Sequence, residues 1–182
     1  MGRDSGFIAA GAAVASQEVN FVLIPEVPLR LDGPKGFLAA LHRRMVERHH
    51  AVVVVAEGAG QDLLEQENGR DQSGNRKKAD VGVFLRDRIA AYFKEKGTEV
   101  NLKYIDPSYV IRSVPANSQD ARLCDGYARH AVHAAMAGKT DLIVGDWHGV
   151  FVHVPIPLAV ASRKKIDIES DLWHAVISAT GQ

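Results

Sequence analysis

The chain has 182 residues, which is enough for one domain with a substantial hydrophobic core and few for two. Hydrophobic residues make up 46% of the chain and charged residues 24%, a balance typical of a globular protein and not of a disordered one. Its 22 basic and 22 acidic side chains give a formal net charge of zero, which excludes the whole-protein basic field that holds nucleic acid. We therefore expect any bound anion to be held by a local arrangement of residues.

The cysteine count and the apolar runs bear on where the protein works. Cys124 is the only cysteine, so no intrachain disulfide can form, and a reducing compartment is favoured. The longest apolar runs, such as residues 51–56, have the length of a strand and are far shorter than a membrane span. We expect a cytoplasmic protein with neither nucleic acid nor a membrane as partner.

The first four predicted elements alternate between helix and strand. Residues 7–16 are rich in Ala and Gly and predict a helix that packs closely on a sheet. The apolar run 20–24 predicts a buried strand. Pro34 marks the first turn of a second predicted helix, because apolar residues follow it at three-to-four spacing. The β-branched run 51–56 predicts a central strand that is covered on both faces.

The rest of the chain continues the alternation and predicts the fold class. In chain order, the further predicted elements are a surface loop at 58–78, a helix capped by Asp80, a strand at 100–105, a helix capped by Asn117 or Ser118, strands at 141–145 and 150–156 around a turn at His148-Gly149, and a helix at 170–178. Alternating βα units build a parallel sheet covered on both faces. The sequence therefore predicts an α/β protein, a three-layer Rossmann-like sandwich with a mainly parallel sheet, as one domain over residues 1–182.

Ligands of open α/β sheets bind in the loops past the carboxyl ends of the strands, and the loop after residues 51–56 carries a candidate. Glu57 stands at the tip of this strand, followed by Gly58 and Gly60, which allow close approach of the backbone or a positive φ. A lone carboxylate in this place suits hydrogen bonding to sugar hydroxyls. The alternative is a surface glutamate in a turn, and the spacing alone does not decide between them.

Two further segments carry groups that suit an anion. Tyr109 and Arg112 follow the predicted strand at 100–105, and an arginine fork donates two parallel hydrogen bonds to a phosphate. From the residues alone, the stronger interpretation of Arg112 is an arginine that pairs with a surface acid. The run Met1-Gly2-Arg3 directly precedes a predicted helix, whose backbone N–H groups favour an anion. As a bare pattern this run is weak, since Gly-Arg pairs are common.

Five segments in combination closely resemble the second half of phosphofructokinases. They are MGRDSGFIAAGA, LIPEVP, VVVVAEGAGQD, KYIDPSYVIRSVPANSQDA and AVHAAMAGKTD, and the resemblance runs from Met1 to about Ile156. It is strongest to the group that contains the trypanosomal and plant ATP-dependent enzymes and related bacterial ones, some of which use pyrophosphate. The resemblance implies the phosphofructokinase fold in partial form. It also implies transfer of a phosphoryl group to the 1-hydroxyl of fructose 6-phosphate, a step of glycolysis.

The same resemblance implies roles for individual residues. Met1, Gly2 and Arg3 match the family's Met-Gly-Arg run, which contacts fructose 6-phosphate, and the arginine also stabilises charge on the phosphoryl group in transfer. Glu57 matches the glutamate that hydrogen-bonds the sugar. The substrate-binding Tyr-x-x-Arg of the family matches Tyr109 and Arg112. In the family this arginine often comes from a neighbouring subunit, which implies a homodimer or homotetramer with shared substrate sites.

The chain also departs from the family pattern. Ala121 stands where many bacterial members have a second phosphate-binding arginine, and the plant-like group lacks that arginine too. The family's Gly-Gly-Asp-rich donor loop and its Thr-Asp-Asn-Asp run, which supplies the catalytic base, do not occur in this sequence. We expect them in a donor-binding half that would precede Met1, so that the sequence is a truncated piece or a gene model begun at an internal codon. The complete enzyme would use Mg²⁺ with ATP or pyrophosphate, and this chain alone would bind neither and be inactive.

Other classes of function remain open from the sequence. The first is a sugar-phosphate-binding module with no catalysis of its own, and the second is an anion-binding domain unrelated to sugars. The eight histidines suggest the hypothesis of a metal site. However, no Cys or acidic partner lies at zinc-like spacing from them, so we expect no metal ligands.

Overall fold

The computed structural model of the chain describes residues 3–64 and 78–182. These residues fall into two compact units, which we call the first unit (Met1–Asp106 with Lys165–Gln182) and the second unit (Pro107–Lys164). The elements of the first unit are α1 (Phe7–Ser16), β1 (Phe21–Leu23), α2 (Phe37–Arg48), β2 (Val53–Val55), a 3₁₀ turn (Gln61–Leu63), α3 (Val81–Glu95) and α7 (Asp171–Thr180). Those of the second unit are α4 (Ser108–Ser113), α5 (Ser118–Met136), β3 (Leu142–Trp147), β4 (Val150–Pro155) and α6 (Ile156–Ala159).

The first unit is a three-layer sandwich around a parallel pair of strands. β1 and β2 pair in register, with Val22 opposite Val54. Side chains alternate between the two faces of a strand. Val22 and Val54 therefore pack against α1 and α7, whereas their neighbours Phe21 and Val53 pack against α2 and α3. The predicted α/β class, with helices on both faces of a parallel sheet, is confirmed.

Side-chain size explains how each layer packs. The face of α1 that meets the sheet carries Ala9, Ala10 and Ala13, whose small side chains let the helix approach closely. Trp173 of α7 is buried in the same cluster. The opposite face of the sheet is covered by larger side chains, of which Phe93 of α3 is 1% exposed. The helices on both faces of the sheet thus bury apolar surface, the main favourable term in folding.

Residues 100–105 do not form the predicted strand. Their apolar side chains alternate, but a strand also needs a neighbour to supply ladder hydrogen bonds, and none of the described residues does so. Tyr104 packs instead against Gly82, and its hydroxyl donates a hydrogen bond to Asp80 at 3.1 Å. β2 is covered on both faces, as predicted. It is not central, because residues 100–105 form no strand and, within residues 3–64 and 78–182, β2 pairs with β1 alone.

Local signals predicted most helix boundaries. Asp80 caps α3 by accepting a hydrogen bond from the Val83 amide at 3.0 Å, and Asn117 caps α5 by accepting one from the Asp120 amide at 2.8 Å. The start of α2 was predicted too early, because Pro34 lies in a turn and the helix begins at Phe37. Most of the predicted loop at 58–78 lies outside the described residues.

The second unit is built on an antiparallel hairpin that packs on α5. His148 and Gly149 both have positive φ, 51° and 81°, which suits the two-residue turn of a hairpin, and both predicted strands are confirmed. Gly126 of α5 lies against the ring of Phe151, so that a Cβ there would stand 2.4 Å from the ring. The short helices α4 and α6 were not predicted.

Two glycine substitutions of the same kind should change stability in opposite directions. Gly126→Ala forces a Cβ into the Phe151 ring and should destabilise the protein by about 1–3 kcal/mol, as overpacking does. Gly11→Ala in α1 meets nothing within 4 Å and should stabilise it by about 0.5–1 kcal/mol. Urea unfolding followed by circular dichroism measures both, and an equal effect of the two substitutions would contradict the packing of α5 on the hairpin.

Candidate functional site

The candidate site lies where β1 and β2 end. Because the strands are parallel, their carboxyl ends meet at one edge, and the Ala56 amide extends the pairing by donating to the Leu23 carbonyl at 2.9 Å. The loop after β1 begins with Pro25 and Glu26, and the loop after β2 begins with Glu57. The turn that precedes α1 reaches the same edge, as the contacts of Arg3 show.

Arg3 and Glu57 form an ion pair at this edge. Arg3 Nε donates to Glu57 Oε1 at 3.1 Å, and the side chains are 28% and 51% exposed. The structure thus brings together two of the residues that the sequence singled out, although they lie 54 positions apart. A pair this exposed contributes only about 0–1 kcal/mol to stability and is by itself a weak restraint on the position of Arg3.

Lys78 makes further contacts with the turn that carries Arg3, although nothing in the sequence distinguishes Lys78 from Lys77 beside it. Its Nζ lies 2.5 Å from Asp4 Oδ1 and also donates a hydrogen bond to the Arg3 carbonyl. Burial lowers the pKa of the Lys78 amine below its ordinary 10.5, while the charge of Glu57 raises this pKa and that of Arg3 lowers it. The amine therefore lies within electrostatic reach of both members of the ion pair.

Gly58 gives Lys78 the space to reach the turn. A Cβ on Gly58 would stand 2.5 Å from the Arg3 carbonyl oxygen and 2.9 Å from Lys78 Nζ. The close approach predicted for the glycines after β2 is thus present at Gly58, where it admits this protein's own backbone and amine.

Gln61 and Glu26 tie the surrounding loops together, and both were missed in the sequence. Gln61 Nε2 donates to the Glu57 carbonyl at 2.8 Å and to the Ala79 carbonyl at 3.0 Å, which joins the loop after β2 to the segment before α3. The Glu26 carboxylate accepts from the Gly6 amide at 3.1 Å and from the Ile166 amide at 2.9 Å. A negative charge at the N-terminus of α1 is favourable. Glu26 stands in the segment LIPEVP, whose presence among the family motifs was the only signal for it.

Tyr109 and Arg112 lie together in the second unit, on α4 and not on the loop that the sequence suggested. The Arg112 guanidinium carbon is 6.0 Å from the centre of the Tyr109 ring, and the Tyr109 side chain is almost fully exposed. The structure therefore brings the four described candidates together as two pairs, Arg3 with Glu57 and Tyr109 with Arg112. Their convergence on one ligand stays a prediction. Met1 and Gly2 lie outside the described residues.

The chemistry of the described residues limits what they can hold. Within residues 3–64 and 78–182, no group of three or more His, Cys, Asp or Glu side chains could bind a metal ion. The Mg²⁺ that the resemblance implies for the complete enzyme therefore finds no set of ligands among them. His130 stacks on Phe151 with the ring centres 4.6 Å apart, which gives this histidine a packing role. In the part of the chain that the structure describes, no helix combines the length and apolarity needed to cross a membrane.

A sheet with helices on both faces and paired charges beyond its strand ends defines an α/β protein of the Rossmann-like class. Comparison with known proteins is more specific. The sequence model described as "Phosphofructokinase" matches residues 1–135, which is most of the chain. The chain belongs to the phosphofructokinase family, as the five segments indicated.

Individual relatives agree with this assignment. The chain is 48% identical to the ATP-dependent 6-phosphofructokinase of Borreliella burgdorferi and 50% identical to that of Amycolatopsis methanolica, in both cases over its whole length. It is 42% identical to the Trypanosoma brucei brucei enzyme of the same name over 99% of its length. The chain spans only 42%, 41% and 37% of the lengths of these three relatives.

The electrostatic contacts of Lys78 predict how its pKa responds to substitution. Glu57→Gln removes a negative charge that favours the ammonium form, so the pKa of Lys78 should fall further below 10.5. Arg3→Gln removes a positive charge and should raise it. An NMR titration of the lysine ε-carbons measures both values, with the Lys78 signal assigned by its loss in Lys78→Arg. A pKa that does not move in either variant would place Lys78 away from the ion pair.

Proposed function

We propose that this chain forms the fructose 6-phosphate-binding half of a 6-phosphofructokinase. The complete enzyme transfers a phosphoryl group to the 1-hydroxyl of fructose 6-phosphate and yields fructose 1,6-bisphosphate. The observation that carries the proposal is the Arg3–Glu57 pair at the carboxyl ends of β1 and β2, where open α/β sheets bind ligands. Family membership and the names of the relatives support the substrate and the reaction.

Each candidate residue has a role in this proposal. Glu57 accepts hydrogen bonds from sugar hydroxyls, and Arg3 places positive charge where the phosphoryl group accumulates negative charge in the transition state. Arg112 and Tyr109 hold the 6-phosphate through the guanidinium and the phenol hydroxyl. Met1 and Gly2 complete the run that contacts the sugar phosphate. If Arg112 comes from a neighbouring copy, the active species is a homodimer or homotetramer with shared sites.

The phosphoryl donor in this proposal is ATP, since the three relatives are named ATP-dependent. Mg²⁺ would accompany the donor, and its ligands would come from outside the described residues. We place the enzyme in the cytoplasm on account of its single cysteine.

A second function has an observation of its own. The sequence contains neither a Gly-Gly-Asp run nor a Thr-Asp-Asn-Asp run, so this chain taken by itself has no donor loop and no catalytic base of the family type. It would then be a sugar-phosphate-binding module without catalysis. Phosphoryl transfer by the full-length protein separates the two functions, because this chain alone is expected to transfer no phosphoryl group under either of them. Binding of the sugar phosphate is common to both.

Two substitutions should distinguish contacts with the sugar from contacts with the phosphate. Glu57→Gln should weaken the binding of fructose 6-phosphate but leave that of inorganic phosphate almost unchanged, because in the proposed site the carboxylate contacts the hydroxyls of the ligand and not its phosphate. Arg112→Ala should weaken the binding free energy of both ligands by about 1.5–3 kcal/mol, the value of a charge-assisted hydrogen bond. Isothermal titration calorimetry of the whole chain measures all four affinities.

Arg129→Ala is the matched control, because Arg129 is an exposed arginine on α5 that pairs with Asp125 at 2.9 Å. It should change neither affinity. Equal weakening of both ligands by Glu57→Gln would remove Glu57 from the sugar, and an Arg112→Ala variant that binds both ligands as well as the control does would remove Arg112 from the site.

A further inference from the structure

Lys78 joins the segment before α3 to the turn before α1. Its side chain is 17% exposed, and the single Nζ reaches two neighbouring residues of the turn, the carbonyl of Arg3 and the carboxylate of Asp4. An ammonium group is compact and has three rotatable donors, which allows it to serve two acceptors in different directions. The contact spans 75 positions of sequence.

We propose that Lys78 is a positioning residue, which holds the backbone of Arg3 so that its guanidinium faces Glu57 and the sugar phosphate. The proposal rests on the proposed function for the ligand. It assigns to Lys78 no contact with the ligand itself.

The geometry of the turn explains why such a residue is needed. Glu26 fixes the Gly6 amide, three residues after Arg3, and thereby the start of α1. The ion pair between the Arg3 side chain and Glu57 is partly exposed and is by itself a weak restraint. Lys78 acts on the backbone of Arg3 and on Asp4, between these two points. It therefore restrains the part of the turn that sets where the Arg3 side chain begins.

The base from which Lys78 extends is itself fixed. Gln61 bonds to the carbonyl of Ala79, and Asp80 caps α3, so the two residues that follow Lys78 are both anchored. Gly58 leaves room for the amine beside the Arg3 carbonyl. The same Gln61 also bonds to the Glu57 carbonyl, so the residues that follow Lys78 are tied to the loop that carries Glu57.

A double-mutant cycle tests whether Lys78 acts through Arg3. Lys78→Met should lower the affinity for fructose 6-phosphate about tenfold, the loss expected when one charged hydrogen bond is misplaced. In an Arg3→Gln background the same substitution should lower the affinity for fructose 6-phosphate by less than about twofold, because the side chain that Lys78 positions is already gone. Binding to the whole chain is followed by NMR titration, which measures weak affinities. Lys94→Met, at an exposed position on α3, is the control and should have no effect in either background.

Equal losses in both backgrounds would show that Lys78 contacts the sugar phosphate directly, and no loss in either would show that it does nothing for binding; both results overturn the proposal. If Lys78→Met does not fold, as judged by circular dichroism, Lys78→Gln replaces it with the same expectations. Its shorter amide cannot serve both acceptors.

The ¹⁵N signal of Arg3 Nε gives a readout that needs no ligand. In Lys78→Met this signal should shift toward that of an exposed arginine, while in Lys94→Met it should stay in place. If the unsubstituted chain does not bind fructose 6-phosphate, the proposed function fails, and this signal alone decides whether Lys78 positions Arg3. An Arg3 signal that is the same in Lys78→Met and in the unsubstituted chain would overturn the positioning role.

Discussion

The parallel pairing of β1 and β2 is the constraint on which the candidate site depends. Parallel strands end at the same edge, so the loop with Glu26 and the loop with Glu57 begin side by side. Glu26 then holds the start of α1, and this brings the turn with Arg3 to the same edge. If the strands ran antiparallel, the two loops would lie at opposite ends of the sheet and the Arg3–Glu57 pair could not form.

The charges at this edge have a consequence for ligand binding. Arg3 and Lys78 supply two positive charges, and Asp4 and Glu57 supply two negative charges, so these four described residues are balanced among themselves. A balanced cluster has little net attraction for a sugar phosphate that carries up to two negative charges. Arg112, which the proposed site includes because it matches the family's Tyr-x-x-Arg, would supply the positive charge that these four residues lack. The arginine fork suits the terminal phosphate, and Glu57 suits the uncharged hydroxyls.

The sequence predicted the features that depend on neighbouring residues. The β-branched run around β2, the caps at Asp80 and Asn117 and the turn at His148-Gly149 are local signals, and the structure confirms each of them. The strand predicted from the alternating pattern at 100–105 was wrong, because alternation shows that a segment suits a strand and does not show that a partner strand lies beside it.

The site was predictable only in part for a related reason. Arg3 and Glu57 were found through motifs, and their pairing is observed. Lys78, Gln61 and Glu26 act through hydrogen bonds to backbone groups, for which any residue type supplies the partner. No residue pattern marks such contacts. They become visible only when segments as far apart as Arg3 and Lys78 are placed in space.

We propose that Arg3, Glu57 and Arg112 bind one phosphorylated sugar. A crystal structure of the chain grown with fructose 6-phosphate tests it most directly. We expect one sugar phosphate beside Arg3, with its hydroxyls within hydrogen-bond distance of Glu57. Its 6-phosphate should lie on Arg112, either of the same chain or of a neighbouring copy. A sugar phosphate bound at another surface, or these three side chains pointing into separate regions in every copy of the crystal, would contradict it.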